Sequence, residues 1–191
     1  MKVIFLDFDG VINNWNNFYG VDEENAKILK KIIHESGAKV VATSSNKYSF
    51  QRNSLVDIYS TDFFKYLIKL KEFGINIDGV TSMINCDRTL EIADYIEKHK
   101  DIKQYVILDA GIIGSDFIEH QVFLDLYKGL QTEHVKPALD ILNGKLGFYP
   151  KDYDKSETSE ERNLRINRYY KKSNETKKEI IYSLKWEKII K

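Results

Sequence analysis

Short apolar runs alternate along this chain with longer segments whose apolar residues recur at helical spacing. The first run, Lys2-Val3-Ile4-Phe5-Leu6, leads into Asp7-Phe8-Asp9-Gly10-Val11. It predicts a buried strand with acids at its C-terminal edge. A polar loop follows from Asn13 to Gly20. Asp22 then caps a helix carrying the apolar stripe Ala26, Leu29, Ile32 and Ile33, with Gly37 as its stop. Ala38 to Ala42 predicts a second strand, ending in Thr43-Ser44-Ser45. A helix is expected from about Thr61 to Phe73, closed by Gly74, and a short strand within Ile75 to Val80. Arg88 to Lys98 predicts a further helix, with Leu90, Ile92, Ala93 and Ile96 partly on one side. Gln104 to Leu108 is a strand candidate that delivers Asp109, and Gln121 to Leu124 is another. Thr132 is expected to cap a last helix carrying Val135, Ala138, Ile141 and Leu142, stopped by Asn143-Gly144.

Strands alternating with helices predict an α/β fold, a mainly parallel sheet covered by helices on both faces. Pro150 marks an expected boundary, because Lys151 to Glu161 is nearly devoid of apolar residues. The division is a domain over residues 1–150 and a charged extension over 151–191. Within the extension, Ile180 to Ile190 fits a helix or a period-2 strand equally well.

Composition narrows the function classes. The chain has 191 residues, with 29 Lys/Arg balanced by 29 Asp/Glu, so no net charge draws it to nucleic acid or membrane. The balance is uneven: residues 151–191 hold 12 basic against 8 acidic side chains. A single cysteine, Cys86, excludes an internal disulfide and suits a reducing compartment. The first apolar run is too short for a signal peptide, and none approaches a membrane span of ~20 residues. These features set the expectation of a cytoplasmic protein without a membrane partner.

The chemistry begins with Asp7 and Asp9. On an extended strand, side chains two apart share a face. Two carboxylates held close together repel, and a divalent cation is the usual remedy. Two more strand ends are polar: Thr43 with Ser44, and Asp109. His34, His99, His120 and His134 show no ligand spacing.

This order of motifs resembles the haloacid dehalogenase-like (HAD) phosphohydrolases. Asp7-Phe8-Asp9-Gly10 matches their DxDG, and Val40-Val41-Ala42-Thr43 matches their second motif. Arg88 is the best match to the basic residue of the third, with Lys71, Lys98 and Lys100 as alternatives. Val106-Ile107-Leu108-Asp109 matches the acid-bearing fourth. Gly129-Leu130, Thr132-Glu133, Ala138 and Leu142 look more narrowly like the HAD domain of Swiss Army Knife RNA repair proteins. The resemblance spans roughly residues 1–142 and implies a Rossmann-like three-layer sandwich.

It also implies roles. Asp7 would be the nucleophile and Asp9 the acid and base. Mg2+ would be held by Asp7, Asp109 and the backbone carbonyl of Asp9. Gly10, the Thr43 hydroxyl, the Ser44 amide and Arg88 would receive the phosphoryl group. Ser44 and Ser45 remain alternatives to Thr43 as the hydroxyl. Relatives often carry two adjacent acids in the fourth motif, but Ala110 follows Asp109 here. Asp116 is either a compensating acid or a solvated one.

Only 33 residues separate Asp9 from Thr43 and 44 separate Thr43 from Arg88, too few for a large cap domain. An open site admits bulky substrates. The expected substrate is therefore a phosphate on a nucleotide, a nucleic acid end or another large molecule. In the extension, Arg162, Arg165, Arg168, Lys171 and Lys172 interleave with Tyr169 and Tyr170, a pattern suited either to a single strand or to a solvated helix. Two other classes stay open: a receiver-like phospho-acceptor domain and a non-catalytic HAD-like binding protein.

Overall fold

The computed structural model describes residues 1–14, 20–52, 61–111 and 113–145. The extension over 151–191, with both readings of Ile180 to Ile190, lies outside the described residues. In chain order the elements are β1 (Lys2–Leu6), α1 (Glu23–Ser36), β2 (Lys39–Ala42), α2 (Tyr48–Arg52), α3 (Asp62–Glu72), β3 (Gly79–Val80), α4 (Arg88–Lys98), β4 (Gln104–Asp109), β5 (Gln121–Phe123) and α5 (Val135–Leu142). Short 3-10 turns cover Ser45–Lys47, Ser115–His120 and Thr132–His134.

The strands form one parallel sheet in the order β3-β2-β1-β4-β5. Parallel strands buried on both faces require near-continuous apolar runs, and β1, β2 and β4 supply them. Alternate residues then divide between two cores. Ile4, Leu6, Val40, Ala42, Val106 and Leu108 pack with α1, α3 and α5 on one face. Val3, Phe5, Val41 and Ile107 pack with Ile92 of α4 and with Phe117 on the other. The result is the three-layer α/β sandwich expected from the alternation of elements.

The helix boundaries follow from local chemistry. The Asp22 side chain accepts from the backbone N–H groups of Glu24 and Asn25, and Gly37 closes α1 with a φ of 64°. Thr61 caps α3 and Asp87 caps α4 in the same way. Two expectations need correction. The last helix is not capped by Thr132. Gln131 caps the 3-10 turn that precedes α5, exchanging hydrogen bonds with His134, which itself stands at the start of α5 without a side-chain cap bond. On α4, Leu90 is 45% exposed and Ala93 is exposed, whereas Glu91 is fully buried. The inward stripe is Arg88, Glu91, Ile92, Tyr95 and Ile96, the spacing expected of one helix face.

His134 gives this fold a pH dependence. Its Nδ1 accepts from the Gln131 N–H at 2.8 Å, and burial holds its pKa below the ordinary 6.5. The folded protein then binds fewer protons at this site than the unfolded chain. Its contribution to stability is complete above about pH 6.5 and is lost as pH falls through the folded-state pKa. Thermal melts at pH 7.5 and 5.5 are expected to lie closer together in His134→Gln than in wild type. An equal spacing would remove His134 as a source of the slope.

Candidate active site

The sheet register sets the site. Leu6 pairs with Ala42 on one side and with Leu108 on the other. The residues that follow, Asp7, Thr43 and Asp109, therefore stand level on three adjacent strands about 4.8 Å apart. Backbone bonds hold the row beyond the strands themselves: the Asp7 N–H donates to Leu108 O and the Thr43 N–H to Leu6 O. All three also share the side-chain parity of Val3, Phe5, Val41 and Ile107, and so face the layer that contains α4. All strands run the same way, but the order in which the chain lays them down switches sides between β1 and β4, where Asp7 and Asp109 lie. This crevice at the strands' carboxyl ends is where open α/β sheets bind ligands.

Arg88, the first residue of α4, reaches into this row. Its Nη1 donates to Asp7 Oδ2 at 2.9 Å and also to Asp109 Oδ2. Asp7 and Asp109 are buried, and the Arg88 side chain is 21% exposed. Burial opposes the guanidinium charge, but the two carboxylates outweigh it and hold its pKa above the ordinary value. Burial raises Asp109 to about 6; Arg88 opposes that rise and the charge of Asp7 adds to it. Among the other basic candidates for this place, Lys98 pairs with Asp94, while Lys71 and Lys100 are exposed.

Asp7 and Asp9 do not stand as alternate residues of one strand. β1 ends at Leu6, and the chain turns so that Phe8 stacks on Phe63, with ring centroids 5.5 Å apart. Asp9 consequently meets a different set of partners. Its Oδ1 accepts from Asn13 Nδ2 and from the Tyr66 hydroxyl, both at 3.0 Å, and its Oδ2 accepts from Asn46 Nδ2 at 3.1 Å. Gly10 adopts a φ of 75° in this turn, and its N–H donates to Asn13 Oδ1 at 2.7 Å. A Cβ there would lie 2.5 Å from Leu126 Cδ1 and 2.9 Å from Ala110 Cβ. Gly10 and Ala110 thus fit closely against each other. The side chain of Asp116 lies outside the described residues.

Thr43 supplies the observation that most favours an oxyanion ligand. It is fully buried, and its Oγ1 has no hydrogen-bond partner among the described residues. A buried hydroxyl without a partner costs about 1–3 kcal/mol and is seldom left so without a reason. Ser44 Oγ accepts from Asn46 Nδ2 at 3.2 Å. Of the two hydroxyls, that of Thr43 is the one left with no partner at all among the described residues. Ser45, exposed at the start of the 3-10 turn, is turned toward solvent.

A model of the HAD domain in Swiss Army Knife RNA repair proteins matches residues 3–135. The chain belongs to this family. No curated protein and no solved structure matches it. Membership places this HAD domain among the HAD-like hydrolases, and the parallel sheet agrees with that fold. No helix among the described residues is long and apolar enough to cross a membrane.

Asp7 and Asp109 converge on a single cation, the Arg88 guanidinium, with hard oxygen donors. Among the described residues no group of three His, Cys, Asp or Glu side chains could hold a metal ion. Mg2+ is commonly bound by one or two carboxylates, its other positions filled by water and substrate phosphate. Two converging carboxylates fit that mode.

Sequence reading did not find Asn13, Asn46, Tyr66, Lys47 or Glu91. The first three surround Asp9. Lys47 and Glu91 form a buried ion pair behind Thr43 and Ser44. The available signal was the inverted neighbour pair Leu90–Glu91, an apolar residue outside and an acid inside.

Proposed function

We propose that this HAD domain hydrolyses phosphomonoesters through a covalent intermediate on Asp7, acting on a nucleotide, a nucleic acid end or another bulky phosphate ester. The observation that carries the reading is the level row of Asp7, Thr43 and Asp109, with Arg88 across it and the Thr43 hydroxyl unpartnered. The description of the family, in RNA repair proteins, favours a nucleic acid substrate. The described residues between Asp9 and Thr43 form α1 and β2, and those between Thr43 and Arg88 form a 3-10 turn, α2, α3 and β3. None of these makes a separate cap over the row.

In this reading Thr43 Oγ1 and the Ser44 N–H receive non-bridging oxygens of the phosphoryl group. Arg88, held between two acids, offsets charge as the group transfers. Asp7 Oδ2 attacks phosphorus and the ester P–O bond breaks. Asp9 gives its proton to the departing oxygen. Water then attacks the aspartyl phosphate and Asp9 takes its proton, which releases inorganic phosphate and restores Asp7. Asn13, Tyr66 and Asn46 hold the Asp9 carboxyl in place for both transfers. Mg2+, carried by Asp7 and Asp109, would lower the repulsion between carboxylate and phosphate.

A panel of 3′- and 5′-phosphorylated oligonucleotides, nucleotides and small sugar phosphates tests the substrate class with Mg2+ present. Oligonucleotide ends are expected to give the highest kcat/KM. Turnover confined to sugar phosphates would overturn the open-site argument. Stable phosphorylation of the protein without turnover would instead mark a receiver-like phospho-acceptor.

A further inference from the structure

Behind the row of site residues lies a second charged cluster. Lys47 and Glu91 are both wholly enclosed, with 2.8 Å between Nζ and Oε2. Lys47 donates also to the backbone carbonyls of Thr43, at 2.8 Å, and Ser44, at 3.3 Å. Glu91 Oε1 accepts from the Tyr48 hydroxyl at 2.7 Å and from the Ile84 N–H at 3.2 Å. Its Oε2 also meets Thr81 Oγ1 at 3.5 Å, from the residue that follows β3.

Two of these bonds hold backbone next to the site residues. In a trans peptide the C=O and the next N–H point to opposite sides. Anchoring Thr43 O on Lys47 therefore turns the Ser44 N–H away from the buried pair. Glu91 performs the matching task on α4. Ile84 opens a turn closed by the Asp87 N–H on Ile84 O, in which Asn85 and Cys86 have φ values of 53° and 56°. Two consecutive residues in this sparsely populated region persist only where the surroundings impose it. The turn leads directly into the Asp87 cap and Arg88.

We propose that the Lys47–Glu91 pair is a positioning device, which locks the Thr43–Ser44 backbone and the start of α4 in one arrangement so that amide, hydroxyl and Arg88 converge on the same phosphoryl group. This rests on the phosphohydrolase reading above. The pair touches neither substrate nor the reacting atoms; it acts through the residues it holds. Burial lowers the pKa of Lys47 while Glu91 opposes this, as expected of an ammonium kept enclosed by its partners.

A merely structural ion pair can be exchanged for apolar residues of similar volume at little cost, or with gain, in stability. A positioning pair cannot be exchanged without loss of activity. The test is the double variant Lys47→Met/Glu91→Leu, assayed with 4-nitrophenyl phosphate and a 3′-phosphorylated oligonucleotide in Mg2+. The expected result is a melting temperature near that of wild type with kcat/KM lower by about 100-fold, mainly in kcat, the scale of a 1 Å misplacement. A double variant that keeps both its melting temperature and its kcat/KM overturns the proposal. If the double variant does not fold, Glu91→Gln decides, since it keeps the shape and removes the charge. A roughly tenfold fall in its kcat supports the positioning role, and an unchanged kcat overturns it. Absence of turnover in wild type overturns the phosphohydrolase reading and this inference together, whereas active wild type matched by the double variant overturns this inference alone.

Discussion

Asp7→Asn is expected to leave the fold intact and to remove turnover, by at least about 10^4-fold in kcat. The carboxamide matches the carboxylate in shape, and its Oδ1 can still accept from the Phe8 N–H, now 2.8 Å from Asp7 Oδ1. Arg88 retains Asp109. A neutral amide, however, is not a nucleophile toward phosphorus and cannot form the acyl phosphate. Steady-state assays with an aryl phosphate, alongside trapping of phosphorylated protein by acid quench, would measure both consequences. Wild type is expected to yield a trapped, alkali-labile phosphoprotein and the variant none. Residual turnover within a hundredfold of wild type would show that Asp7 is not the attacking group. Water delivered directly to phosphorus would then be the simpler mechanism.

The parts of this site that were legible in the sequence are those carried by strand ends. A parallel strand buried on both faces is a run of apolar residues, and its end is marked by the first polar ones. Asp7, Thr43 and Asp109 each occupy that position, and register places them level. Arg88 was legible as a basic residue at a helix start. What could not be read depended on partners distant in sequence. Glu91 resembles any acid on a solvated helix face until Lys47, 44 residues away in the chain, is packed against it. With Glu91 packed inward, Leu90, its neighbour on the helix, lies outside. The strand alternation that placed Asp7 and Asp9 on one face fails because β1 stops at Leu6. The turn after it is set by Phe8 packing on Phe63 and by the Asn13 bond to Gly10, both of which need the folded protein. Gln131 displaced Thr132 as a cap for a similar reason: the exchange with His134 is a local option that spacing alone does not select.

Arg88→Met is expected to separate two duties of the same side chain. In the protein without metal, Arg88 is the cation between Asp7 and Asp109, and its removal leaves two buried carboxylates facing one another. Breaking a buried charge cluster by removing one partner costs about 3 kcal/mol, so the metal-free variant should melt well below wild type. Added Mg2+ can supply the lost positive charge to the same two acids, and the rise in melting temperature with Mg2+ should therefore be larger in the variant. Catalysis is expected not to recover, because the ion cannot also replace the guanidinium donors to the transferring phosphoryl group. A fall of about 10^3-fold in kcat, persisting at saturating Mg2+, follows from the loss of such donors. Arg88→Lys should restore part of the stability as a point charge but little of the rate, since it lacks the planar fork. Equal Mg2+ stabilisation of wild type and variant would mean that the ion does not draw on Asp7 and Asp109. Recovery of kcat by Mg2+ alone would mean that the guanidinium only balances charge, leaving the Thr43 hydroxyl and Ser44 amide to hold the phosphoryl oxygens.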